Sequence, residues 1–169
     1  SLHPSILIDS KADLLIYGMG ELPLKELTRR VNNGEKINEL NNIPQTSYIA
    51  HSKIAPDYKG ETPDTYLHTH QECLQDKLKQ AKNFRIVEEQ SNMMQASRIL
   101  QRYSEDELVV INPPYPSMTE LQIDESFDLP YTRLPHPKYK NKTIPAFEMI
   151  KFSVNMHRGC FGGCAFCTI

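Results

Sequence analysis

The chain has 169 residues, with 19 Lys+Arg against 21 Asp+Glu, and a net charge of −2. That balance leaves no overall basic field for gripping nucleic acid, and no apolar run approaches the ~20 residues of a membrane span. Hydrophobic residues at 39% and charged ones at 24% fit one or two small globular domains rather than wholesale disorder, and four cysteines are too few for a disulfide scaffold.

Residues 5–17 hold two short apolar pieces, Ile6-Leu7-Ile8 and Leu14-Leu15-Ile16-Tyr17. The second is followed by Gly18-Met19-Gly20 and reads as a buried strand ending in a tight turn. Pro23 suits a first helical turn, Leu24, Leu27 and Val31 repeat at helical spacing, and Gly34 is a stop signal. The spacing therefore predicts a strand–turn–helix unit, and Ile43 to Ile49 a further strand. Residues 51–65 are polar with two prolines and read as a surface loop.

From Tyr66 to Phe84 the pattern is helical, with Leu67, Leu74, Leu78 and Ala81 on one face. Residues 85–103 fit two patterns: Met93, Ala96 and Leu100 suit a helix, whereas Arg85-Ile86-Val87 suits a strand. Leu108-Val109-Val110-Ile111 is a buried strand ended by Asn112-Pro113-Pro114. Seven prolines between 113 and 145 demand an extended segment that wraps a surface, with one short helix from Thr119 to Phe127 turning Leu121 and Phe127 or Ile123 inward. Lys151 to Met156 alternates polar with apolar and predicts a strand.

Three of the four cysteines fall in the last ten residues, as Cys160-x3-Cys164-x2-Cys167. Thiolates this close can converge on one metal centre only if the loop curls, and Gly159, Gly162 and Gly163 supply that freedom. Thiolates are the natural ligands of an iron–sulfur cluster. Three ligands for four irons leave one iron open to a substrate or cofactor, the logic of a catalytic rather than a closed structural site. Inert buried thiols, a zinc site completed by Cys73 or a histidine, and an electron-transfer ferredoxin are the competing readings. Zinc prefers C-x2-C pairs, and a ferredoxin needs a fourth cluster cysteine.

C-x3-C-x2-C with Phe166 before its last cysteine resembles the signature of radical S-adenosylmethionine (radical SAM) enzymes. The longer stretch IPAFEMIKFSVNMHRGCFGGCAFCTI resembles the cluster loop of the YgiQ-type radical SAM proteins, a group of uncharacterised bacterial proteins. ILIDSKADLLIYGMGELPLKEL, LVVINPPYP and DLPYTRLPHPKY resemble the same family, in the same order. The resemblance implies that Cys160, Cys164 and Cys167 hold a [4Fe-4S] cluster whose fourth iron is chelated by S-adenosylmethionine. It places Phe166 beside the adenine and implies a 5′-deoxyadenosyl radical acting on an unknown substrate.

The fold it implies is α/β: strand–helix units from the end of a Rossmann-like domain, a Pro-rich bridge, and the first strand of a partial TIM-like barrel. The corresponding domains are 1–55 as the C-terminal part of a Rossmann-like, cobalamin-binding-like domain, 56–145 as the bridge, and 146–169 as the first barrel strand with the cluster loop. Phe152 to Met156 would be that strand, with the loop at its C-terminal end, where such barrels carry their sites. The partners implied are a reductant such as flavodoxin or ferredoxin, with no membrane and no nucleic acid, in a cytoplasmic setting; SLHPSILIDSKAD lacks the pattern of a secretory signal. The chain stops two residues after Cys167, which reads as an internal fragment of a longer protein and predicts no SAM cleavage by these residues alone. The alternative is a non-catalytic bridging module with a zinc-type cysteine site.

Other groups carry blander readings. His68-Thr69-His70 with Cys73 reads as the solvated first turn of a helix before it reads as a metal cluster, and Gly18-x-Gly20 as a strand-to-helix turn before a phosphate loop. Glu21 suits the positive end of the following helix. Arg158 offsets cluster charge or simply faces solvent, and Asn112-Pro113-Pro114 lines a barrel mouth or simply ends a strand. Arg133, His136 and Lys138 among tyrosines fit RNA by type, but nothing else in the chain supports that use.

Overall fold

The computed structural model describes residues 2–58, 60 and 62–156. The chain divides into two compact units, Ser1–Ser126 and Phe127–Ile169.

In the first unit, α1 (Ile6–Ser10) opens the chain under a Ser5 cap and ends on Lys11 in the left-handed conformation, φ 54°. A two-residue strand, β1 (Leu15–Ile16), runs into Gly18 at φ +66° and then into α2 (Glu21–Asn32). Both ends of α2 follow from local sequence. Pro23 sits in its first turn, where no helical N–H is missed. At the other end Gly34 adopts φ +90° while its N–H and that of Glu35 return to Val31 and Arg30, a Schellman stop. The periodicity misplaces the buried face: Pro23 is buried, whereas Leu24 and Val31 are exposed.

β2 (Thr46–Ala50) begins later than the apolar run suggests. Pro44 has no N–H for a ladder and Gln45 is left-handed at φ 62°, so pairing starts at Thr46. The described residues between 51 and 64 form the expected loop, which leads to β3 (Thr65–Tyr66). The single helix expected from Tyr66 to Phe84 is instead β3 and two helices, α3 (His70–Gln75) and α4 (Lys77–Ser91). Asp76 separates them with extended backbone, φ −134° and ψ 109°, and its carboxylate accepts the Leu78 N–H, so one residue ends α3 and caps α4. Arg85-Ile86-Val87 is helical, and the ambiguous stretch resolves as α4 followed by β4 (Ile99–Arg102). β5 (Leu108–Ile111) lies where its apolar run predicts.

The sheet has five strands in the order β1-β2-β5-β4-β3. β1–β2, β2–β5 and β5–β4 are antiparallel, and β3–β4 is parallel, reached by a crossover through α3 and α4. This mixed sheet, not an all-parallel one, is what gives the α/β character, and its strands come from both sides of residue 55. Tyr48, Val110 and Leu100 lie in register across β2, β5 and β4, as do Ala50 and Leu108 on the same face. These five form the core, with Leu14 and Ala55 packed against them.

α5 (Glu120–Phe127) closes this unit, matching the expected short helix, although Leu121 and Phe127 are exposed and Ile123 only half-buried. The second unit has a 3-10 turn at Pro137–Tyr139 and α6 (Pro145–Ile150), with irregular proline-rich chain between. The strand expected at Lys151 to Met156 is not formed. Residues 151–152 are a turn after α6, and 153–156 have no regular structure. A ladder needs a neighbour, and the described residues supply none for this segment.

Candidate functional site

Cys160, Cys164, Cys167, Phe166 and Arg158 lie outside the described residues, so the geometry that bears on the site is that of the segment leading to it. Its apolar side chains are open: Phe152, Val154 and Met156 are 90%, 83% and 92% exposed. They alternate with Ser153 and Asn155, so extended backbone would set all three on one side. Among the described residues, no three His, Cys, Asp or Glu side chains come together to hold a metal ion.

The His68-Thr69-His70/Cys73 group has a packing explanation. Thr69 is the N-cap of α3: its hydroxyl accepts the Glu72 N–H at 3.1 Å, while the Glu72 carboxylate accepts the Thr69 N–H at 2.9 Å. Lys79 closes on the same carboxylate from α4. The Lys79 ammonium, then the backbone N–H and hydroxyl of Thr69, hold the Glu72 carboxyl down at about 2. Cys73 is buried, accepts the Asn83 amide at 3.1 Å, and is pushed up by burial and then by Glu72 nearby, the reverse of what a reactive thiolate needs. His70 stacks on Tyr103 with ring centroids 5.0 Å apart.

The Gly18–Gly20 turn is fixed by a knot of buried polar groups that the sequence reading does not contain. The Gln45 side-chain amide donates to the carbonyls of Tyr17 (2.7 Å) and Met19 (2.6 Å), and its backbone N–H donates to Pro113 (2.8 Å). A Cβ on Gly18 would stand 3.2 Å from that amide nitrogen, which with its positive φ explains glycine there. Asn112 is 2% exposed and donates to the carbonyls of Asn41 and Ile43 and to the Thr46 hydroxyl, while its own carbonyl accepts the Tyr17 hydroxyl. Burial, then Tyr58 nearby, pushes the Tyr17 phenol up to about 12. Asn112 thus does more than end β5: it ties the start of the proline-rich segment to the turn after β1.

A second missed feature is Arg98, 2% exposed at the head of β4. Its guanidinium is bidentate to Asp64 at 2.8 and 2.6 Å, donates to the Pro56 carbonyl at 2.9 Å, and stacks on Tyr58 at 4.5 Å. One side chain therefore pins both arms of the 51–64 loop. No sequence signal pairs Arg98 with Asp64 across 34 positions. In the second unit, His136 Nδ1 accepts the Lys138 N–H and the Lys138 ammonium sits over Tyr139 at 5.8 Å, so two of the basic groups serve a local turn.

Comparison with known proteins decides the family. The family model described as radical SAM N-terminal matches residues 1–153. The chain belongs to that family. The match stops short of the cysteine loop, so this assignment does not rest on the three thiols. A UPF0313 protein of Porphyromonas gingivalis is 58% identical over 173 residues, covering 99% of this chain and 26% of the relative. One from Bacteroides thetaiotaomicron is 56% identical, covering 99% of this chain and 28% of the relative. The UPF0313 protein YgiQ of Escherichia coli is 34% identical, covering 100% of this chain and 30% of the relative. This radical SAM N-terminal chain is thus of the YgiQ type, and it spans roughly a quarter of the length of the curated relatives it matches. No solved structure matches it. No helix among the described residues is long and apolar enough to cross a membrane.

Proposed function

We propose that this chain is an internal portion of a radical SAM enzyme whose cluster loop is Cys160 to Cys167. The observation that carries the reading is the C-x3-C-x2-C spacing next to a segment of this family. Three thiolates suit iron–sulfur chemistry, and their number leaves one coordination position for a cofactor. Cys160, Cys164 and Cys167 would hold a [4Fe-4S] cluster, and Phe166 would cover the adenine of S-adenosylmethionine. When bound, the cluster and S-adenosylmethionine supply a 5′-deoxyadenosyl radical, using an electron from a carrier such as flavodoxin or ferredoxin. The substrate is unassigned.

In this reading residues 1–55 close a Rossmann-like domain, 56–145 bridge, and 146–169 open the barrel. The chain's own contribution is placement. Asn112 and Gln45 fix where the proline-rich segment leaves the sheet, and Phe152, Val154 and Met156 wait as the inward row of a first barrel strand whose neighbour lies elsewhere in the longer proteins. A cytoplasmic setting suits an oxygen-labile cluster.

Anaerobic reconstitution with iron and sulfide tests the assignment. Broad visible charge-transfer absorbance that is lost in Cys164→Ala supports it. One tightly held zinc per chain with no iron uptake overturns it in favour of a bridging module with a zinc-type site.

A further inference from the structure

A cavity of about 650 Å³ opens in the first unit over the C-terminal end of β2, within the ~300–1,000 Å³ of ordinary ligand pockets. Its origin is the brevity of what covers the sheet there: the five-residue α1, the chain from Lys11 to Leu14, and the three-residue 3-10 turn Ile37–Glu39. The floor is apolar. Tyr48 and Ala50 share the core face of β2, and Leu14 and the buried Leu40 line the same hollow. The rim carries both signs of charge. Lys11 and Asp13 are exposed on it, and neither side chain has a hydrogen-bond or ion-pair partner among the described residues. His51 and Glu107 complete the titratable lining, and the Glu107 carboxylate already accepts the Ser104 hydroxyl at 3.3 Å. Lys11 is also unusual in its backbone. It ends α1 at φ 54° and ψ 32°, a left-handed cap that glycine or asparagine takes at less cost. An unpaired lysine in that conformation, at the mouth of a cavity, is the kind of local strain that accompanies a binding role.

We propose that this cavity binds a small ampholyte with an apolar body, of the class of an α-amino acid with a large apolar side chain. The apolar part lies on the floor of Leu14, Leu40, Tyr48 and Ala50, the carboxylate pairs with Lys11, and the ammonium pairs with Asp13. Charge selects this class over a simple acid or a simple amine. Lys11 and Asp13 stand two positions apart on one rim, so a singly charged ligand meets one opposite and one like charge. Adjacent amine and carboxylate groups answer both. Rim charges this exposed contribute little each, so the affinity is modest. All of these residues lie in the first unit, and the inference does not rest on the cluster reading of the cysteines.

The chain contains no tryptophan, which supplies the test. L-Tryptophan, excited where tyrosine does not absorb, reports its own capture by fluorescence anisotropy as the 169-residue chain is titrated into it. The expected result is a saturable rise with a Kd of about 1 mM or below. Tryptamine, which lacks the carboxylate, and indole-3-propionate, which lacks the amine, are read the same way and should bind about fivefold more weakly. Lys11→Gly should raise the thermal unfolding midpoint, because glycine relieves the left-handed cap, yet weaken tryptophan binding about fivefold. Asp13→Asn should weaken tryptophan to a similar degree while leaving indole-3-propionate at least as well bound, and Lys11→Arg should preserve tryptophan binding. Absence of a saturable rise overturns the proposal. So does equal binding of the three probes, which marks an apolar surface without charge selection, or unchanged tryptophan affinity in both Lys11→Gly and Asp13→Asn, which places the probe elsewhere.

Discussion

Arg98 ties the loop before β3 to the head of β4, and Glu72 caps α3 and pairs with Lys79 of α4. A guanidinium 2% exposed is tolerable because Asp64, Pro56 and Tyr58 surround it. Removing it leaves the Asp64 carboxylate, 19% exposed, without its partner. Arg98→Leu is therefore expected to cost about 3 kcal/mol in urea unfolding. Combining it with Asp64→Leu should recover much of that loss, since an apolar pair has no stranded charge. Glu72 makes the pH prediction. Its folded pKa is depressed to about 2 by Lys79 and Thr69, so its stabilising contribution is present above the ordinary carboxylate range near 4.5 and is lost as pH falls from there through about 2. Glu72→Gln should lower stability at pH 7 and flatten the acid limb of a stability–pH profile between about pH 4.5 and 2.

Among the elements, the α3–α4 pair shows how one residue divides a helical pattern. Leu67, Leu74, Leu78 and Ala81 have helical spacing, and the interruption at Asp76 is a capping event that periodicity does not register. Asp76→Ala removes the acceptor for the Leu78 N–H and should cost about 1 kcal/mol in thermal or urea unfolding with little change in helix content. Burial does not follow that spacing: Cys73 and Asn83 are buried against each other, whereas Leu74 and Leu78 are exposed. Gly34 and Pro23 were legible because their signals are local: a left-handed stop and a missing N–H act through the backbone of adjacent residues. The 151–156 segment was not, because alternation states which side chains share a face and says nothing about whether a neighbouring strand is present.

For the molecule as a whole, the radical SAM assignment and the exposed surfaces point the same way. The chain spans roughly a quarter of its relatives, and Phe152, Val154 and Met156 lie open at its described end. If the proposed function holds, the 169 residues reconstituted with iron, sulfide, S-adenosylmethionine and dithionite should form the cluster yet release no 5′-deoxyadenosine by liquid chromatography, because most of a barrel wall is missing from them. Turnover by this chain alone would show that its own residues suffice to orient the cofactor.

Composition and spacing by themselves determined the −2 charge, the apolar strand at Leu108 to Ile111, the strand–glycine–helix unit from Leu14 to Gly34, and the clustering of three thiols at 160, 164 and 167. Each is written in neighbouring residues, so a short window is enough to read it. Only the tertiary structure decided that β2 pairs with β5, that Arg98 reaches Asp64, that Gln45 and Asn112 knot three loops, and that α4 buries Asn83 while Leu78 and Phe84 stay exposed. Those depend on residues tens of positions apart competing for the same buried hydrogen bonds, and no local pattern ranks the competitors.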